Sequence, residues 1–219
     1  MAKQTTIIFD MDGTILDTEK YYRKYWKMAA EDCGYSMSDE QALAMRSMGR
    51  PFAAKQIESY FGDPEAYGKI RNRRMELMNL RLQAEGIPVK EGAKETLEEL
   101  KKQGCCLAVA TATDLERTTD YLKQTGLISF FDYLICATMV EQGKPAPDIY
   151  LYACKELGVN PEEAYAVEDS PNGVRSAYEA GCQVIMVPDQ TEPDDDLLRM
   201  LTWKAKDLQD LLTYFHMKR

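Results

Sequence analysis

The chain has 219 residues, and its 27 lysines and arginines against 36 aspartates and glutamates leave a net charge of −9. That length suits one large domain or a core with a smaller companion, and the 45% hydrophobic and 29% charged fractions exclude global disorder. An acidic chain has no general positive field with which to coat nucleic acid, so any phosphorylated ligand must be held by a local positive site.

In chain order, a short apolar run over 6–9 is stopped by Asp10. It is too short for the core of a signal peptide, and no segment reaches the roughly 18 apolar residues of a membrane span, so the cytoplasm is the expected location. Residues 18–86 then read as helices only, over 19–32, 38–46, 52–60 and 64–84, punctuated by Gly34, Gly49-Arg50-Pro51 and Gly62-Asp63-Pro64. This stretch is dense in aromatics (Tyr21, Tyr22, Tyr25, Trp26) and carries a basic run of Arg71, Arg73 and Arg74. A helix after Glu91-Gly92 leads back to an apolar run over 105–110.

From there strand and helix alternate. A helix over 114–125 stops at Gly126, and an apolar run covers 133–137. The next helix has Pro147 in its first turn, carries Ile149, Tyr152, Ala153 and Leu157 on one face, and ends at Gly158. A run over 164–167 follows, then a helix with Ser170 as N-cap, Pro171 at its first position and Gly181 just past its end. The last apolar run is 182–187. None of the five runs alternates cleanly between apolar and polar, as expected of parallel strands covered on both faces. The pattern predicts an α/β, doubly wound, mainly parallel Rossmann-like core over 1–17 and 87–219, with an all-helical insertion over 18–86. The acidic run Asp194-Asp195-Asp196 is best read as a solvated helix start, because adjacent carboxylates diverge.

Cysteine and histidine narrow the chemistry. Cys33, Cys105, Cys106, Cys136, Cys154 and Cys182 show no C-x-x-C spacing, and the adjacent pair in a strand points to opposite faces, so reduced structural cysteines are expected. His216, the single histidine, leaves no material for a histidine metal site or a Ser-His-Asp triad.

The informative residues stand where apolar runs end. The first run enters Asp10-Met11-Asp12-Gly13-Thr14, the second Thr111-Ala112-Thr113, and the fourth Glu168-Asp169-Ser170. Ligands of open α/β sheets lie beyond the carboxyl ends of the strands. If the strands are parallel, four carboxylates gather at one edge, and like charges that close need compensation. A divalent cation with all-oxygen ligands resolves the conflict, and Mg²⁺ suits that donor set better than zinc. Asp10 and Asp12 share a face in strand geometry and can address one reacting atom. Lys144, in the stiff Gly143-Lys144-Pro145-Ala146-Pro147 loop, can be aimed inward, while the Thr111 hydroxyl and the backbone N–H groups around Ala112 can form an anion nest. A cation, a lysine, a hydroxyl and a nest around a nucleophilic carboxylate describe a phosphoryl-transfer site.

The stretch Phe9-Asp10-Met11-Asp12-Gly13-Thr14-Ile15-Leu16-Asp17-Thr18-Glu19 resembles the first signature of the haloacid dehalogenase superfamily. The 143–150 and 167–173 segments resemble its third and fourth, and the insertion resembles the small helical cap of the β-phosphoglucomutase-like branch. The resemblance implies that Asp10 is the nucleophile forming an aspartyl phosphate and Asp12 the general acid and base. It further implies Mg²⁺ held by Asp10, the Asp12 backbone carbonyl, Glu168 and Asp169, with Thr111 and Lys144 on the phosphate. Asp12 argues against dehalogenation, which has no leaving oxygen to protonate. The second signature departs from the family pattern as Ala110-Thr111-Ala112-Thr113, and Tyr22 stands where the mutase has a histidine, which weakens a mutase assignment.

The expectation is therefore a Mg²⁺-dependent phosphatase acting on a small phosphorylated metabolite such as a sugar phosphate. Arg50 is the insertion residue expected to touch the distal part of the substrate, and a monomer is expected. Two alternatives stay open: a phosphomutase of the same branch, and a non-catalytic phospho-acceptor switch.

Overall fold

The computed structural model describes residues 4–217, so the outermost residues of the predicted core segments 1–17 and 87–219 lie outside the described residues. Six strands form one parallel sheet: β1 (Thr6–Phe9), β2 (Cys106–Thr111), β3 (Tyr133–Cys136), β4 (Ala164–Glu168), β5 (Gln183–Met186) and β6 (Trp203–Lys204), in the order β3-β2-β1-β4-β5-β6. The chain moves outward from β1 to β3, then crosses back to place β4 on the other side of β1. That crossing is the reversal beside which ligands bind in such sheets.

Both faces of the sheet are covered. Ile7 and Phe9 join a core with helices α5 (Ala93–Lys102), α6 (Leu115–Gln124) and α10 (Asp210–Met217), while Ile8 joins a second core with α7 (Asp148–Leu157), α8 (Pro171–Glu179) and α9 (Asp195–Leu198). This double cover explains why the strands read as unbroken apolar runs. The sequence predicted five strands, and β6 is the sixth. The second strand starts one residue later than expected and runs to Thr111, so Cys105 precedes it. Asp194 caps α9 by accepting from the Leu197 amide at 2.9 Å, in line with the reading of that acidic run as a helix start.

Between β1 and α5 lie four helices: α1 (Glu19–Asp32), α2 (Asp39–Ala44), α3 (Arg50–Phe61) and α4 (Ala66–Glu85). They have a core of their own, built on Trp26, Ala30, Met37, Met45, Ile57 and Ile70. Tyr22, Tyr25, Met78 and Leu82, on α1 and α4, pack instead into the sheet's first core. Ser38 and Gln41 close a reciprocal capping box that starts α2 one residue later than the pattern suggested. No helix among the described residues is long and apolar enough to cross a membrane.

Candidate active site

Strand register brings the acids together. Phe9 sits level with Val109 of β2 on one side and Val167 of β4 on the other. The next residue, Asp10, donates its amide to the Val167 carbonyl at 2.9 Å. It therefore emerges beside Ala110 and Thr111 on one flank and Glu168 and Asp169 on the other. Carboxylate oxygens of Asp10, Glu168 and Asp169 lie within 4.8 Å of one another, and all three residues are buried.

Every buried charged residue among the described residues belongs to this place: Asp10, Asp12, Glu19, Glu168 and Asp169 against Lys144 and Arg46. Five acids face two bases, so like charges crowd the site. Burial pushes the Asp10 and Asp169 carboxyls up, and Glu168 is pushed up to about 7, with Lys144 pulling against burial. Asp10 Oδ2, Glu168 Oε2 and Asp169 Oδ1 are buried with no hydrogen-bond partner. Three clustered carboxylates, each with one unsatisfied hard oxygen, fit Mg²⁺. The surrounding backbone leaves room only for these acids. A Cβ on Gly13, whose φ of +92° suits glycine, would meet Asp169 Oδ2 at 2.5 Å, and one on Gly173 would collide with the Glu168 carboxylate.

Lys144 is fully buried and its ammonium donates to Asp10 Oδ1, to the Ala110 carbonyl at 2.9 Å and to Glu168 Oε1 at 2.6 Å. Burial works against its charge, but the Asp10 and Glu168 carboxylates outweigh that and hold it above an ordinary lysine. The proline-flanked loop thus does aim the ammonium inward. Tyr150, on the first turn of α7, donates to the same Glu168 oxygen at 2.5 Å.

Asp12 is held differently. Its Oδ1 accepts from the Thr18 hydroxyl at 2.7 Å and its Oδ2 from the Thr113 hydroxyl at 2.9 Å, while burial raises its carboxyl above the usual range. Thr111 Oγ1 accepts from the Thr113 amide at 3.1 Å, which fixes the turn after β2. Thr111 and Ala112 line the same cleft as Asp10 and Asp12, a cavity of about 90 Å³, and Arg50 stands exposed at its edge on α3. Two further participants come from the four-helix segment. Glu19 opens α1 with a buried, unpartnered Oε2, and Arg46 places one guanidinium nitrogen 3.4 Å from Asp169 Oδ2 and another 2.7 Å from the Thr191 hydroxyl. Sequence reasoning missed Glu19, Arg46, Thr18 and Tyr150, since none ends an apolar run or breaks a helical pattern.

The match to known proteins covers most of the chain: the family described as haloacid dehalogenase-like hydrolase matches residues 7–187. The chain belongs to the haloacid dehalogenase-like hydrolase family. A Drosophila melanogaster protein named "Probable pseudouridine-5'-phosphatase" is 35% identical over 200 residues, covering 86% of this chain and 84% of that one. A Thermotoga maritima protein named "Phosphorylated carbohydrates phosphatase" is 32% identical over 181 residues, covering 82% of each. Among solved structures, a β-phosphoglucomutase from Clostridium difficile superposes with a TM-score of 0.82 over 99% of this chain and 97% of its own, and at 19% identity the likeness is one of fold. The resemblance drawn from the signature stretches is borne out, and both of these relatives carry the name of a phosphatase.

Proposed function

We propose that the chain hydrolyses a phosphate monoester of a small metabolite, such as a sugar phosphate, through an aspartyl phosphate on Asp10 with Mg²⁺ as cofactor. The observation that carries this reading is the trio of buried carboxylates, each with one unsatisfied oxygen, beside an ammonium that already holds Asp10. Asp10, Glu168, Asp169 and the Asp12 backbone carbonyl would hold Mg²⁺, which when bound offsets the negative charge of the phosphoryl oxygens.

The chain's own groups do the rest. A carboxylate oxygen of Asp10 forms a bond to phosphorus as the ester oxygen leaves, and the Asp12 carboxyl gives that oxygen its proton. Burial, by favouring the protonated form of Asp12, suits it to start as an acid, and the Thr18 and Thr113 hydroxyls orient it. In the second half Asp12, now ionised, takes a proton from water as the water oxygen bonds to phosphorus, releasing phosphate and restoring Asp10. Lys144, which neutralises Asp10 between turnovers, then receives the phosphoryl group together with Thr111 and the backbone around Ala112. Residues 18–86 act as a cap that excludes bulk water and selects substrate, with Arg50 on the substrate's distal side. The six free cysteines support a reducing, cytoplasmic setting.

A panel of phosphate esters assayed with and without Mg²⁺, on the wild type and on Asp10→Asn, tests the proposal. Wild type should release free phosphate only with Mg²⁺, and Asp10→Asn should keep its fold and lose turnover. Full activity in Asp10→Asn removes Asp10 as nucleophile. A hexose 1-phosphate converted to its 6-phosphate with no free phosphate marks a mutase instead.

A further inference from the structure

Arginine is unevenly spread over this acidic molecule. Of the chain's 11 arginines, five line the active-site cleft: Arg46, Arg50, Arg71, Arg74 and Arg117. Arg46 is spoken for by Asp169. Arg71 and Arg74 come from α4 and Arg117 from α6, so the three approach from two elements. None of them has a carboxylate in ion-pair reach among the described residues. Arg73 shows what an arginine on the outer face of α4 does instead: it pairs with Asp32 at 2.7 Å and Glu76 at 2.9 Å.

Arg74 is held by aromatic faces rather than by acids. Its guanidinium lies 4.4 Å from the Trp26 ring centroid and 5.0 Å from that of Tyr22, and its Nε is buried without a partner. Burial pulls it below the usual arginine range, and the like charges of Arg71 and Arg117 push the same way. Arg117 lines the cleft beside Tyr22, and burial with the Asp12 charge pushes the Tyr22 phenol up. Gathering three like charges and the orphaned Arg74 Nε in one cleft is costly unless an anion completes them. Tyr22, over whose ring Arg74 lies, lines the same cleft as Asp12 and the other guanidinium groups. A leaving group that starts at Asp12 and extends past Tyr22 reaches them.

We infer that the substrate's leaving group carries a second anionic group, a phosphate or a carboxylate, received by Arg74 and Arg117 with Arg71 beside them. This deepens the phosphatase reading and rests on it for the orientation of the substrate. The purified full chain with Mg²⁺ is assayed on matched esters: glucose 1-phosphate against glucose 1,6-bisphosphate, and glycerol 3-phosphate against 3-phosphoglycerate. The doubly anionic member of at least one pair should show the higher kcat/KM, and which pair responds identifies phosphate or carboxylate as the second group. Arg74→Met, which keeps the stacked volume, and Arg117→Gln should each cut that preference by about 10- to 100-fold, mainly through KM, as loss of a charge-assisted bond predicts. A merely structural role for these arginines would lower both members of a pair equally and leave the ratio fixed. An unchanged ratio in both variants, or wild type favouring the single anions throughout, overturns the inference. Calorimetric binding of glucose 1,6-bisphosphate and of 3-phosphoglycerate to Asp10→Asn needs no turnover. Binding weakened by Arg117→Gln there sustains the subsite even if no ester is hydrolysed, which would sink the phosphatase reading alone.

Discussion

Asp12 is the residue whose surroundings separate a catalytic carboxyl from a structural one. Both its oxygens accept from threonine hydroxyls, so an amide in its place keeps one acceptor and nearly the same volume. Asp12→Asn should therefore fold normally yet lose roughly 100- to 10,000-fold in kcat on alkyl phosphates, the span that general acid–base catalysis supplies. Leaving-group dependence makes the prediction specific. p-Nitrophenyl phosphate needs no proton on departure, so its first turnover, seen as a burst of nitrophenolate, should persist in the variant. Equal loss of the burst and of alkyl phosphate turnover would remove Asp12 as the acid. Asp10, Asp12, Thr111, Lys144, Glu168 and Asp169 were legible in the sequence because each interrupts an apolar run or sits in a stiff proline loop. Glu19, Arg46, Arg74 and Arg117 were not. A charged residue on a helix reads the same whether its face meets water or closes over a cleft.

At the scale of elements, strands were easier to read than their limits. A two-residue strand such as β6 makes no apolar run, and its place beside β5 comes from tertiary pairing. Helix α8 was visible from Ser170 and Pro171, and Ser170 does accept from the Gly173 amide at 3.1 Å. Its third position holds a test of packing against propensity. Alanine is favoured over glycine in helices by up to about 1 kcal/mol, so local preference alone predicts that Gly173→Ala stabilises. The new Cβ would instead fall on the Glu168 carboxylate. That group cannot swing aside, since Lys144 and Tyr150 grip its Oε1 at 2.6 and 2.5 Å. Overpacking of this kind costs about 1–3 kcal/mol. Urea unfolding should show Gly173→Ala less stable than wild type, with a smaller Mg²⁺-induced rise in midpoint. A more stable variant would mean that α8 yields where the packing says it cannot.

For the molecule as a whole, the buried acid excess should make metal-free stability depend on pH in an unusual direction. Many proteins lose stability on acidification because paired carboxylates sit below their unfolded values. Here burial raises Asp10, Glu168 and Asp169, and Glu168 reaches about 7. An unfolded glutamate titrates near ~4.3, so between those values the folded chain binds more protons than the unfolded one. Stability from Glu168 is then fully present below the unfolded value and is lost as pH rises through about 7. Thermal melts of the chelated protein should fall in midpoint from about pH 5 to about pH 8, the interval that the linkage slope defines. Surface repulsion at a net charge of −9 adds a slope of its own, but Glu168→Gln shares nearly all of it. The variant's curve should be flatter across that window, and the difference isolates the buried group. Mg²⁺ favours the ionised cluster, so it should raise the wild-type midpoint more at the alkaline end than at the acid end. Parallel curves for wild type and Glu168→Gln, or a Mg²⁺ effect independent of pH, would mean that the crowded carboxylates are already neutralised from within the fold.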